Sequence, residues 1–260
     1  MAEFARAYAD AEEKLRRQEV FAANARHVDA VNRAGDRTYT LGLNQFSDLT
    51  DDEFLETHLG YRHQHGGLRP ADDAPAAAVN MPRAAAGHFQ DTPDSMDWRA
   101  QGAVTQVKDQ LSCAGGVVFI GRQRNAWEPT GWVGACRSGG VMPNSAASVG
   151  APGWAALYGD EGALQELAAS QPVAVGVEAT DPDFRHYMSG VYSGSPSCGQ
   201  RLNHAVTVVG YGTDGPGQDY WVVKNQWGTG WGEEGYMRLA RGNGANCGIA
   251  TYAYYPTMDS

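Results

Sequence analysis

Three short runs in this chain of 260 residues hold side chains that can move a proton or steady a developing charge. Leu202-Asn203-His204-Ala205-Val206-Thr207-Val208-Val209 places an imidazole at the head of a β-branched stretch. Imidazole changes protonation near neutral pH, so it can serve as base and then as acid. Tyr220-Trp221-Val222-Val223-Lys224-Asn225-Gln226-Trp227-Gly228 places a carboxamide among tryptophans and glycines. Gln110 is a second carboxamide, with two N–H donors and an acceptor oxygen. Taken singly, each has a plain structural explanation. A lone histidine before a strand usually serves packing, an isolated glutamine is a solvated loop residue, and a Gly/Trp-rich stretch can be a turn in a β domain. Four cysteines, Cys113, Cys136, Cys198 and Cys247, are compatible with two disulfides and an oxidising compartment. Zinc is the competing reading, but no cysteine interval is short and no cysteine pairs with a nearby histidine.

These side chains need elements to position them. Residues 5–33 are rich in Ala, Glu, Arg, Lys and Leu and predict a helix, broken by Gly35-Asp36. Thr38 to Leu41 predicts a short strand. Residues 51–61 predict a second helix, capped by Thr50 with Glu53 three residues on. From His63 to about Gln90 the chain turns to Gly, Pro, Ala, His and Asp, the composition of a linker. Residues 161–170 predict a helix. The runs 172–178, 205–209 and 220–224 predict strands of a packed sheet. A net charge of −10 argues against nucleic acid or an anionic membrane as partner. No stretch approaches the ~18 apolar residues of a spanning helix. Met1 leads into Ala-Glu-Phe-Ala-Arg with no apolar core, so no secretory signal is read; set against the cysteines, this predicts an N-terminal truncation.

Glu13, Arg17, Phe21, Asn24, Val28 and Asn32 fall on one face of the first helix. With Val28 in place of isoleucine they resemble the interspersed Glu-Arg-Phe-Asn-Ile-Asn pattern of papain-family propeptides. Gly42, Asn44, Phe46 and Asp48 match the second motif of those propeptides. The resemblance implies a segment that folds onto a peptidase domain, lies through its cleft opposite in sense to a substrate, and is released at acidic pH. Farther on, Pro93-Asp94-Ser95-Met96-Asp97-Trp98 resembles the opening of mature papain-like enzymes and suggests a maturation boundary there.

The three runs then take roles by that resemblance. Gln110 falls at the glutamine whose amide donates to the oxyanion. His204 falls at the base that takes the thiol proton and returns it to the leaving amine. Asn225 falls at the amide that holds the imidazole in its productive tautomer, with Trp227 shielding that hydrogen bond. Gln226 stands where the family has Ser or Thr. The implied disulfides are Cys113–Cys136 and Cys198–Cys247. The nucleophilic cysteine belongs six residues after the glutamine, and there this chain has Gly116, followed by Val117 instead of an aromatic residue. Cys113 lies only three residues after Gln110 and has an apparent disulfide partner, so it is a poor substitute.

The resemblance also weakens over 114–160. Family enzymes place the histidine roughly 130–150 residues beyond the cysteine, and here about 40 to 60 residues of the helical half are missing. Pro129 and Gly131 interrupt what should be the long helix after the nucleophile, and 138–153 reads as loop. A frame-shifted or mis-spliced coding region would produce this pattern.

The expectation is an α+β, papain-like two-lobed fold with the helical lobe shortened and the β-rich lobe intact. Propeptide 1–62, linker 63–92 and peptidase domain 93–260 make up the chain. The implied function is peptide-bond hydrolysis, impaired because Gly116 cannot be acylated. The alternatives are a non-catalytic protease-binding protein acting through the propeptide, or a pseudogene-type product. Peptides, proteins or related cysteine proteases are the expected partners, with no cofactor or metal and a monomeric chain. An acidic vacuolar, lysosomal or secreted setting follows by family.

Overall fold

A computed structural model describes residues 7–59, 92–110, 119–123, 126–131, 153–157, 159–194, 198–199, 201–242 and 246–257. Helix α1 spans Ala11–Ala34. Asp10 opens it by accepting the Glu13 N–H at 2.8 Å, and Gly35 closes it at φ 65°. The helix therefore begins at its cap, several residues later than composition alone suggests. Strand β1 is Tyr39–Leu41. Helix α2 is Asp51–His58, with Thr50 and Glu53 forming the expected capping box. Strand β2 is Met96–Asp97, and β3 (Phe119–Gln123) pairs with β4 (Ala126–Gly131) as a separate hairpin. Strand β5 is Gly153–Leu157. Helix α3 is Glu161–Ser170, capped by Asp160, on the bounds expected from sequence. Then come β6 (Val173–Val177), the short α4 (Pro182–Arg185), β7 (Tyr187–Tyr192), β8 (His204–Thr213), β9 (Asp219–Lys224), β10 (Tyr236–Ala240) and β11 (Ala253–Thr257).

One mixed sheet organises the molecule, in the order β1-β7-β10-β9-β8-β6-β11-β5, with β2 added against β8. Among the described residues between Gly102 and Asp160 there are strands and no helix, so the interruption by Pro129 and Gly131 shows as β structure. The linker expected at 63–92 lies almost wholly outside the described residues. Cys198 and Cys247 are joined by a disulfide. Cys113 and Cys136 lie outside the described residues.

The polar stripe on α1 explains how the N-terminal segment holds its shape. Arg17 bonds Glu13 at 2.7 Å and Glu53 at 2.6 Å, and donates to the Asp48 carbonyl at 2.9 Å. Asn24 donates to the carbonyls of Ser47 and Leu49 at 2.9 and 3.1 Å. Asn32 exchanges two bonds with the backbone of Leu41, both 2.9 Å. The helix thus satisfies backbone groups at the end of β1 and in the irregular stretch that follows it. Val28 is the one buried residue of α1 among those described.

The segment is fastened to the sheet as well as to itself. β1 pairs antiparallel with β7, Tyr39 opposite Gly190 and Leu41 opposite Tyr187. Gly190 sits at φ 94°, and a Cβ there would lie 2.4 Å from the Thr38 carbonyl oxygen, so the close approach requires glycine. Phe46 and Phe54 bring their rings 5.6 and 5.2 Å from the fully buried Trp227, edge to face.

Candidate active site

His204 is the first residue of β8 and Asn225 follows directly on β9, so the pairing of those two strands sets them side by side. His204 Nε2 lies 2.9 Å from Asn225 Oδ1. The direction of that bond follows from a third group. The Gln226 N–H, which can only donate, also points at Asn225 Oδ1 from 2.8 Å. The atom facing both is therefore the amide oxygen, and His204 Nε2 must carry the proton. Nδ1 is left with the lone pair; it is buried and has no hydrogen-bond partner among the described residues.

Trp227 stacks on the imidazole with ring centroids 4.7 Å apart and planes at 25°. Both side chains are shut away from water, His204 at 2% exposure and Trp227 at 0%. Burial pulls the His204 pKa down to about 4, only partly offset by the bond to Asn225. Such an imidazole is neutral at pH 7, with its lone pair on Nδ1. The shielding role expected of Trp227 has its geometry here.

Gln110 reaches the site through backbone bonds. Its N–H donates to the Gln226 carbonyl at 2.8 Å, Gly228 N–H donates to the Lys108 carbonyl at 3.0 Å, and Asp109 bridges Trp227. These fix residues 108–110 along 226–228. The Gln110 Nε2 then donates to the carbonyl of His58 at 2.9 Å. The last turn of α2 thus lays a peptide carbonyl on this amide. Gln45 adds a second tie, donating to the Trp227 carbonyl at 2.6 Å. Gly116 lies outside the described residues. The described residues contain no group of His, Cys, Asp and Glu arranged to hold a metal ion.

One cluster went unread in the sequence. Asp183 and Arg185, on the four-residue α4, grip the N-terminal segment. Asp183 accepts from the Tyr39 hydroxyl at 2.6 Å and lies 2.6 Å from His27 Nε2. Arg185, 2% exposed, pairs with Asp51 at 2.9 Å and donates to the Thr50 carbonyl and Asn24 Oδ1. Burial lowers the Arg185 pKa, with Asp51 acting against it. The only local signal was Asp181-Pro182, a helix-start pair; the partners sit more than a hundred residues away in sequence.

Residues 134–257 match the family described as papain family cysteine protease, and residues 1–54 match the cathepsin propeptide inhibitor domain (I29). Ananain from Ananas comosus is 32% identical over 323 aligned positions, covering 100% of this chain and 86% of the relative. The chain belongs to the papain family of cysteine peptidases. Its architecture is that of a precursor, a propeptide followed by a peptidase domain. Cathepsin L of Sarcophaga peregrina is 34% identical, with 96% of this chain and 89% of the relative covered. Among solved structures, a recombinant stem bromelain precursor superposes with TM-score 0.73 at 31% identity, covering 100% of this chain and 97% of the other. The proform of the ragweed pollen cysteine protease Amb a 11 gives TM-score 0.78 at 26% identity, covering 100% and 84%. The ananain alignment is longer than the chain itself, so it opens gaps within it. Among the described residues no helix is long and apolar enough to cross a membrane.

Proposed function

We propose that this chain is the precursor form of a papain-type endopeptidase that keeps its acid–base apparatus and has lost its acylation step. One observation carries the reading of the site: the His204 Nε2–H bonded to Asn225 Oδ1 under Trp227, with the Gln110 amide fixed alongside. In peptide hydrolysis by this family's chemistry, a thiol attacks the substrate carbonyl. His204 takes its proton at Nδ1 and returns it to the leaving amine, Gln110 steadies the oxyanion, and water clears the acyl-thioester. Gly116 stands at the nucleophile position and offers no atom for the acyl bond. We read 1–62 as propeptide, 63–92 as linker and 93–260 as a peptidase domain shortened over 114–160. Peptides or proteins are the ligands of its cleft, in an acidic vacuolar, lysosomal or secreted setting, with the chain a monomer that needs no cofactor. The His58 carbonyl on Gln110 supports the propeptide as an occupant of the site.

An electrophilic peptide probe for active-site thiolates tests this directly. Without reductant, the full chain is expected to take up no label. Labelling of a cysteine outside any disulfide, abolished by His204→Ala, overturns the reading.

The docking of Asp183 and Arg185 against His27, Tyr39 and Asp51 favours a second reading, in which the propeptide binds related peptidases. Added to an active family member, residues 1–62 are expected to slow hydrolysis of a fluorogenic peptide. An unchanged rate at a large excess of the segment rejects this role.

A further inference from the structure

β8 and β9 pair antiparallel, with Thr207 opposite Lys224 and Val208 opposite Val223. Carried two residues further, the Thr207–Lys224 register sets Ala205 opposite Gln226. But β9 ends at Lys224, and the backbone of Gln226 is spent elsewhere. Its N–H goes to Asn225 Oδ1 and its carbonyl accepts from Gln110. The side chain makes the missing rung: Gln226 Nε2 donates to the Ala205 carbonyl at 2.6 Å, from a residue 7% exposed. Residue 226 therefore touches Asn225 by its N–H, Gln110 by its carbonyl and, by its carboxamide, Ala205, the residue next to His204.

We propose that Gln226 is a positioning residue, whose carboxamide locks the His204 end of β8 to the loop carrying Asn225 and so holds the imidazole as the Nε2–H tautomer beneath Trp227. On its other side this end of β8 is held by β6, Val177 opposite His204. On the β9 side, the described contacts that bind it include the ring–amide bond itself, the Trp227 ring stacked on the imidazole and the Gln226 rung. Strand ends open more readily than strand middles, and a backbone bond gained at the last residue suppresses that opening. Serine, the family's usual residue here, ends two atoms sooner and does not span to Ala205. The glutamine is thus an addition to the family's apparatus, and the inference rests on reading His204 and Asn225 as the proton-handling pair.

The test reads the imidazole, so it needs no turnover. Full-length chain with ¹⁵N-labelled histidine, followed by NMR across pH, is expected to show His204 as one tautomer with a low titration midpoint. Gln226→Leu keeps a side chain of similar bulk and removes the donor. It is expected to bring the two ring-nitrogen resonances together as tautomers mix, and to move the midpoint upward as water reaches the ring. Gln226→Ser is expected to do the same and serves where the leucine variant does not fold. A merely structural role lowers the melting temperature and moves neither signal. Unchanged nitrogen shifts and midpoint in a folded variant overturn the proposal. The catalytic reading of the pair stands or falls separately, on probe labelling and turnover.

Discussion

A fluorogenic peptide offered to this chain is expected to be hydrolysed about 10⁶-fold more slowly than by an active papain-family peptidase. The factor is the cost of removing the nucleophile from a machine whose other parts remain; the residual rate is what an oxyanion donor and a binding cleft supply by themselves. On the proposed reading those parts remain. His204 is neutral and oriented, and Gln110 is fixed by backbone bonds. On the proposed reading the missing part is an atom to form the acyl bond, since Gly116 has no side chain. The propeptide adds an independent obstacle, because the His58 carbonyl already accepts from Gln110 Nε2. The assay therefore compares the full chain with chain from which the propeptide has been cut and removed. Removal is expected to leave the rate at the same floor. Appreciable turnover in either form, abolished by His204→Ala, sinks the account, because it means a nucleophile was overlooked.

Lowering the pH from 6.5 to 4 is expected to destabilise the folded chain by several kcal/mol. Two histidines carry this. His204 and His186 are both buried, and burial pulls each pKa down to about 4. At His186 the Arg185 and His27 charges push the same way, while the bond from its Nδ1 to the Pro182 carbonyl and the Asp51 charge oppose. In the unfolded chain both titrate near 6.5. Between those values the unfolded chain binds more protons than the folded one, so stability falls as pH falls through the window and the effect levels off below about 4. Each histidine contributes on the order of 3 kcal/mol at most. The carboxylates act lower. Arg17 and Arg16 hold Glu13 below its ordinary value, and hydrogen bonds hold Glu53 and Asp97 down against the opposing effect of burial. Their stabilisation is present above about 4 and is lost as pH falls through the folded values. His186 lies on the seam between propeptide and peptidase domain, beside the Arg185 that grips Asp51, so its protonation loosens the seam. Denaturant titrations at pH 7, 6, 5 and 4 check this. His186→Gln, which can still donate to Pro182, is expected to halve the decline. A flat stability over that range contradicts the assignment.

Much of this was legible beforehand where the signal is local. Thr50 with Glu53 marks a helix start because a capping side chain acts within three residues. The strands carrying His204 and leading to Asn225 read clearly because β-branched runs between glycines fit a buried sheet. The frame of motifs picked out His204, Asn225 and Gln110; His204 meets Asn225, and Gln110 bonds the neighbouring Gln226. β7 escaped notice because its burial follows no alternation: Met188 faces solvent, and Ser189 and Gly190 are turned toward β1. α4 is too short for a period to appear. Asp183 and Arg185 gain their partners only when the propeptide docks, and nothing near them in sequence announces a partner more than a hundred residues earlier. Gln226 looked like a departure from its motif, because the rung it supplies depends on where β9 ends.

The position of β1 at the end of the sheet has a consequence for any processed form. Cutting near Pro93 and losing the propeptide strips the sheet of its outermost strand and makes β7 a border. The Val191 N–H, now bonded to the Thr38 carbonyl, would be left to solvent, and Tyr192 would lose the tilted ring of Tyr39, 4.8 Å away. Bare borders of this kind recruit extended peptide from whatever is at hand. Excision therefore leaves a docking slot that the excised piece, or a second copy, can fill, and the processed domain should be markedly stickier than its precursor.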